Sequence, residues 1–233
     1  MVRWTARKDA VPGRGDVVKP DQIAQYWDDY AAEYDQEPDH GLLDSDTRMA
    51  WKDLLRMWLP PQPSDVADLA CGTGTLSALA AEIGHRVHAF DLSGEMVTRA
   101  RAKTAHFGAA VQVDQADVST PPLEPGSVDA ILARHILWTL PDPQGALVRW
   151  VRAVRPGGRL VLVEGRWSSL GDDSFDDPDR MPWSGGVRAD QLREAVSPLS
   201  TAVHVVELTD PVLWGREIAD ERYLLVATLG EAR

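Results

Sequence analysis

The sequence predicts an α/β fold, a parallel sheet covered by helices on both faces. Three observations carry that expectation. From about residue 65 short apolar runs alternate with helix-like stretches. Those runs are nearly continuous, as in strands buried on both faces. The first of them, Val66-Ala67-Asp68-Leu69-Ala70, turns at once through Cys71-Gly72-Thr73-Gly74 into a helix-like segment. Small residues at such a turn let a large ligand lie against bare backbone.

Residues 1–19 mix charge with glycine and proline and read as a mobile N-terminal arm. Residues 20–233 read as one domain. It starts with a helical segment over residues 20–60. Ile23, Tyr26, Trp27, Tyr30 and Tyr34 recur at helical spacing after the capping candidate Asp21. The run Gln36-Glu37-Pro38-Asp39-His40-Gly41 breaks that helix. A second runs from Ser45 or Asp46 to Leu59, with Met49, Trp51, Leu54, Leu55 and Trp58 as its apolar face. Pro60, Pro61 and Pro63 end it.

Strand and helix then alternate. Strands are expected at 66–70, 86–91, around 111–113, at 128–133 and at 159–164. Helices are expected at 75–83, 94–107 and 142–154, the first stopped by Gly84. Residues 165–188 show no period and read as a long insertion loop holding Trp167 and Trp183. A helix near 189–196 and two strands, 202–208 and 223–229, close the chain.

Composition narrows the function classes. With 24 basic and 36 acidic residues the net charge is −12, and no basic face is evident. Nucleic-acid binding, which rests on phosphate contacts, is not expected. No apolar run reaches the roughly 20 residues of a membrane span, so no membrane association is expected. A single cysteine excludes an intrachain disulfide and a cysteine-only zinc site. No other metal site is apparent, and a cytoplasmic protein, monomeric or homodimeric, is the expectation. Nine tryptophans against three phenylalanines suggest an aromatic-lined pocket for a small molecule.

A glycine turn alone is a weak signal, shared by many nucleotide folds. Two carboxylates strengthen it. Asp91 ends the second strand, about twenty residues on, where an acid can accept from ribose hydroxyls. Asp117 ends the third, where it can accept from an exocyclic amine. A third carboxylate, Asp68, lies in the turn itself. It would repel a pyrophosphate and suits a cationic ligand. The third glycine of a dinucleotide fingerprint is replaced by Ser77.

These residues resemble the motifs of class I S-adenosylmethionine-dependent methyltransferases. Asp68-x-Ala70-x-Gly72-x-Gly74 is similar to the first motif, with alanine for its first glycine. Asp91-Leu92-Ser93-Gly94-Glu95-Met96 resembles the ribose motif and Ala116-Asp117-Val118 the adenine motif. Leu123-Glu124-Pro125-Gly126-Ser127-Val128-Asp129 and Arg155-Pro156-Gly157-Gly158 resemble the runs into the fourth and fifth strands. The resemblance is strongest to the ubiquinone/menaquinone-biosynthesis-like and natural-product group, whose acceptor atoms include O, N, C and S.

That resemblance implies a Rossmann-like, doubly wound, seven-stranded sheet with an antiparallel last strand, and an N-terminal helical lid over residues 20–60. It implies S-adenosyl-L-methionine as cofactor and S-adenosyl-L-homocysteine as product. Asp68 would lie near the methionine amino group, with Ala70, Gly72 and Gly74 under the methionine and ribose. Asp91 would hold the ribose, Leu92 and Met96 would sandwich the adenine, and Ala116, Asp117 and Val118 would read its edge. Ala133 and Arg134 would sit beside the methionine portion, with Tyr26 and Tyr34 of the lid at its end. On the acceptor side His135 is the candidate general base, since imidazole titrates near neutrality. Trp27, Tyr30, Trp138, Trp167 and Trp183 are candidate pocket walls. His40, Arg48 and Trp51 are weaker pocket candidates, and Glu164 and Arg166 could support the site from behind. The competing readings are an NAD(P)-dependent oxidoreductase and a non-catalytic S-adenosylmethionine-binding protein.

Overall fold

The computed structural model describes residues 20–167 and 181–230. The expected N-terminal arm and most of the expected insertion loop lie outside these residues.

Seven strands form one sheet: β1 Asp65–Leu69, β2 Arg86–Asp91, β3 Val111–Gln115, β4 Val128–Arg134, β5 Val154–Arg166, β6 Ala202–Glu207 and β7 Glu221–Thr228. Their spatial order is β3-β2-β1-β4-β5-β7-β6. β1 pairs in parallel with both β2 and β4. β7, the last strand in sequence, runs antiparallel to both β5 and β6. The helices are α1 Pro20–Tyr30, α2 Pro38–Gly41, α3 Ser45–Trp58, α4 Thr75–Ile83, α5 Gly94–Thr104, α6 Pro143–Ala153 and α7 Ala189–Val196. The doubly wound sheet with an antiparallel last strand is therefore present.

The order reverses beside β1: the chain runs outward through β2 and β3, then returns to lay β4 on β1's other side. At such a switch point the loops after two neighbouring strands diverge and leave a crevice at their carboxyl ends. Val66, Ala67, Leu69, Ile131 and Leu132 are essentially inaccessible, as two-sided burial requires. Separate apolar clusters cover the two faces. One holds Trp51, Leu79, Val97 and Trp214, the other Leu147, Trp150, Leu192 and Tyr223.

Local chemistry sets the helix ends. The Asp44 carboxylate accepts from the Asp46 and Thr47 amides and caps α3. Gly84, left-handed at φ +114°, ends α4. Three expectations change. α1 stops at Tyr30, and Tyr34 opens a separate 3-10 turn, Tyr34–Gln36, just before the Glu37-Pro38 step that disfavours helix. Met49 faces solvent at 57% exposure, so the buried face of α3 is Thr47, Trp51 and Leu55. β5 begins at Val154, which pairs with Val128 across an irregularity before regular pairing starts at Arg159.

Trp150 is fully buried on α6, and its indole N–H donates to the Val118 carbonyl at 2.7 Å. Trp150→Phe removes that donor and strands a buried carbonyl. The expected loss of stability is about 1–3 kcal/mol by urea unfolding, and an unchanged midpoint would show that the bond contributes nothing.

Candidate functional site

The crevice after β1 is built on one carboxylate. Asp91 is buried at the end of β2. Its Oδ2 accepts from the Gly72 amide at 2.8 Å and its Oδ1 from the Ser93 amide at 2.9 Å. The glycine turn and the loop into α5 thus hang on the same side chain. Burial pushes Asp91 up to about 6, against the opposing pull of the Ser93 and Gly72 amides.

The turn demands unusual backbone. Gly72 and Gly74 have φ of +55° and +81°. A side chain on Gly74 would press on Ala100 of α5 at 3.0 Å, and one on Gly72 on the Tyr34 ring at 3.2 Å. Ala70 also sits at φ +58°, where the family pattern has glycine. Its small side chain tolerates that geometry at a cost of roughly 1–2 kcal/mol.

Asp68 lies behind the turn, buried, and accepts from the Ser77 hydroxyl. Burial lifts it to about 6, with the Ser77 bond and Arg134 acting the other way. Ser77, the residue that departs from the dinucleotide pattern, is thus the partner of the carboxylate that argues for a cationic ligand.

The adenine-side residues are joined to the same frame. The Ala116 backbone amide donates to the Asp91 carbonyl at 2.9 Å, and the Gln115 side-chain Nε2 to the Leu92 carbonyl at 2.9 Å. Asp117 keeps its turn-forming role, Oδ1 accepting from the Ser119 amide at 2.8 Å, which leaves Oδ2 for a further partner. Val118 is buried. Leu92 is half-buried, whereas Met96 is enclosed at 1% exposure with its amide capped by Ser93.

At the end of β4, Ala133 is buried and Arg134 reaches under the N-terminal segment. Its guanidinium donates to the Asp39 carbonyl and lies 5.1 Å over the Trp51 ring. Trp51 itself donates to the Leu213 carbonyl at 2.6 Å. Tyr34 stacks on His40 at 4.2 Å and sits over Gly72. Burial raises Tyr34 to about 12 and lowers His40 to about 4.

His135 takes the left-handed conformation, φ +57°. Its ring stacks on Trp167 at 5.0 Å, with Trp214 at 5.9 Å. Its carbonyl accepts from the Trp138 indole at 2.8 Å. Burial, then the charges of Arg222 and Arg134, hold its pKa well below the ordinary 6.5. The His135 amide donates to the Val163 carbonyl of β5 at 2.9 Å, and Glu164 is the next residue of that strand. Its Oε1 accepts from the Ile136 and Leu137 amides at 3.1 and 3.0 Å. Burial raises Glu164 to about 7. His40 Nδ1, His135 Nε2 and Glu164 Oε2 are all buried with no hydrogen-bond partner. Buried polar atoms are rarely left so, and three at one end of the sheet mark a place for polar ligand groups or water.

Trp138, Trp167 and Met181 form a small apolar cluster against which Ile23, Tyr26 and Trp27 of α1 pack. Tyr30 joins through edge contacts to Trp27 and Tyr34. The structure separates Trp183 from this group. It packs with Val187, Leu192 and Tyr223 in the core on the other face, a position that the irregular sequence around it did not signal. Arg166 turns away too, donating to the Ser184 and Gly186 carbonyls. Arg48 pairs with Glu82 on the surface. Sequence reasoning missed Arg222, whose guanidinium lies between Trp167 and Trp214 at 4.7 and 5.2 Å while gripping Asp220. It also missed Lys103, which carries no motif, and gave no role to Asp28 and Asp35, which stand within the aromatic lid stretch Tyr26 to Asp35.

Among the described residues no group of three or more His, Cys, Asp or Glu could hold a metal ion, and no helix is long and apolar enough to cross a membrane.

Comparison with known proteins agrees with this geometry. Residues 67–162 match the family described as Methyltransferase domain. The chain is 39% identical over 142 residues to a 37.1 kDa protein in transposon TN4556 of Streptomyces fradiae, covering 59% of this chain and 40% of that protein. It is 31% identical over 147 residues to a demethylmenaquinone methyltransferase of Clavibacter sepedonicus, covering 63% and 59%. The chain thus spans about half the length of the curated relatives it matches. Its fold is similar to that of the [4+2]-cyclase SpnF, with TM-score 0.70 and 16% identity over 93% of this chain and 98% of that one. It is similar also to a phosphoethanolamine N-methyltransferase of Haemonchus contortus solved with S-adenosylhomocysteine. There the TM-score is 0.67 and the identity 18%, over 93% of this chain and 61% of that one. Residues 67–162 thus match a methyltransferase domain, and the sheet that carries them has the fold of these solved structures.

Glu164 gives a pH test of this site. Its folded pKa of about 7 lies above the ordinary 4.5, so the folded state holds the proton more tightly. Stability therefore falls as pH rises from about 4.5 to 7, where the buried carboxyl must ionise. Glu164→Gln keeps an acceptor for Ile136 and Leu137 and removes the ionisation. Relative to wild type it gains about 1–3 kcal/mol between pH 5 and pH 8 by urea unfolding. An equal difference at both pH values counts against the raised pKa.

Proposed function

We propose that this chain transfers the methyl group of S-adenosylmethionine to a small metabolite, in the manner of quinone-pathway and natural-product enzymes. The observation that carries it is Asp91 holding the glycine turn at the switch point, with Asp68 behind the turn and Asp117 Oδ2 free at the next strand end. The methyltransferase-domain match over residues 67–162 supports this donor over a nicotinamide. The demethylmenaquinone and ubiquinone-biosynthesis methyltransferases among the relatives support a small acceptor. The net charge of −12 disfavours a nucleic-acid acceptor. A cytoplasmic protein, monomer or homodimer, goes with this reading, and the free, buried Cys71 agrees with a reducing compartment.

The residues present fit the cofactor. Both Asp91 oxygens retain acceptor capacity beyond their backbone bonds, and they would take the ribose hydroxyls. Asp117 and Val118 would take the adenine edge, Leu92 its face, and Tyr34, Asp68 and Arg134 the methionine end. When bound, the cofactor supplies an activated methyl group on a sulfonium. The protein's task is alignment and exclusion of water. Tyr26, Trp27, Trp138 and Trp167 would hold an apolar acceptor body beside His135. Because its pKa is depressed, His135 is neutral at pH 7 and its unpartnered Nε2 can accept a proton from a hydroxyl acceptor.

Calorimetry with S-adenosylhomocysteine tests the cofactor assignment, and absence of binding by wild type would falsify it. Asp91→Ala is expected to weaken that binding by about 10-fold or more. It also costs roughly 1–3 kcal/mol of stability, since the Gly72 and Ser93 amides lose their acceptor. His135→Ala is expected to lower turnover of a hydroxyl acceptor by about 10²-fold while S-adenosylhomocysteine affinity holds. Undiminished turnover removes the base role.

A further inference from the structure

The N-terminal segment is fastened to the cofactor cradle by two carboxylates. Asp28 of α1 accepts from the Ser93 hydroxyl and from the Glu95 amide at 3.0 Å, at the start of α5. Asp35, in the 3-10 turn after α1, meets Lys103 in the last turn of α5 at 2.9 Å. The Lys103 ammonium also donates to Thr73 Oγ1 at 2.8 Å and to Thr75 Oγ1 at 2.7 Å. Thr73 in turn donates to Asp35.

An ammonium has three donors. Here one goes to the segment over the site and two go to the glycine turn, so none is left over. Thr73 stands between Gly72 and Gly74, and Thr75 is the first residue of α4; both are buried. Burial pulls Lys103 down from the ordinary lysine range, and the Asp35 carboxylate acts against that pull. Asp35 and Lys103 keep about a third and a quarter of their side-chain surface exposed, so water and salt can compete for the pair. Tyr34, next to Asp35, rests on Gly72, so lifting this segment also uncovers the turn.

We propose that Lys103 is a latch, a positioning residue that makes closure of residues 20–41 and ordering of the glycine turn a single event. It thereby sets how long the cofactor stays bound. Without Lys103 the segment and the turn loosen together, because each loses the partner they share. With Lys103 in place, opening breaks the ion pair and the Thr73–Asp35 bond, while the two threonine bonds keep Lys103 on the turn beside the Asp91 bond to Gly72. This inference rests on the cofactor reading above, and the experiment separates the two.

Hydrogen exchange by mass spectrometry on wild type, Lys103→Met and Asp35→Asn needs no ligand. Both variants are expected to speed exchange over residues 20–41 and 71–76 alike. The double variant should go no further than either single one. Stopped-flow release of S-adenosylhomocysteine, followed by tryptophan fluorescence, should be about 10-fold faster in Lys103→Met. Lys103→Arg should restore most of the wild-type rate, and salt should speed release in wild type but not in Lys103→Met. Faster exchange confined to α5, additive effects of the two substitutions, or an unchanged release rate would each overturn the latch. If wild type binds no S-adenosylhomocysteine, the cofactor reading fails while the exchange data still decide the latch.

Discussion

The Asp91 carboxylate is the constraint on which the site depends. In the turn held at positive φ by Gly72 and Gly74, the Cys71 and Gly74 amides find backbone acceptors, whereas the Gly72 amide between them does not. Asp91 supplies the missing partner at Gly72 and, through Ser93, also sets the entry to α5. Ser93 then caps Met96 and receives Asp28 from α1. One buried acid therefore orders the floor, one wall and part of the cover of the crevice. The cost is visible in its raised pKa: a charge has been taken out of water, and two amides only partly replace the water.

The central sheet was legible because its physics is local. Leu160–Val163 is an uninterrupted apolar run and Val66–Leu69 is broken only by Asp68, as strands buried on both faces require. The glycines at 72 and 74 were legible for the same reason, since few other residues take that backbone. The acids could be placed from the strand pattern, since Asp68 lies near the end of β1, Asp91 ends β2 and Asp117 stands two residues past β3.

What escaped is tertiary. Tyr34 continued the aromatic spacing of α1, yet the following Glu37-Pro38 step and the pairing of Asp35 with Lys103 favour a separate turn. Lys103 looked like any lysine near a helix end; its meaning lies in residues about 30 and 68 positions away. Trp183 looked like a pocket wall, yet it fills the core beside Tyr223. Glu164 and His135 were legible as neighbours of the site. That both would be left with unpaired buried atoms followed only from the packing of Trp167, Trp214 and Arg222 around them.

The position of β7 has a bearing on how the molecule is made. β7, later in sequence than the other six strands, is threaded between β5 and β6, so the sheet is incomplete until β7 has been made. The same late stretch contributes Leu213, which receives the Trp51 indole, and Trp214, whose ring meets Trp51 edge-on at 5.7 Å. An early helix thus waits for a docking surface some 160 residues downstream. During synthesis the glycine turn can form with β1, β2 and β4 while the cover above it still has no seat. Assembly of the cover waits for these residues, and a chain truncated before Leu213 would present an open cradle with the apolar flank of α3 bare, a surface prone to self-association.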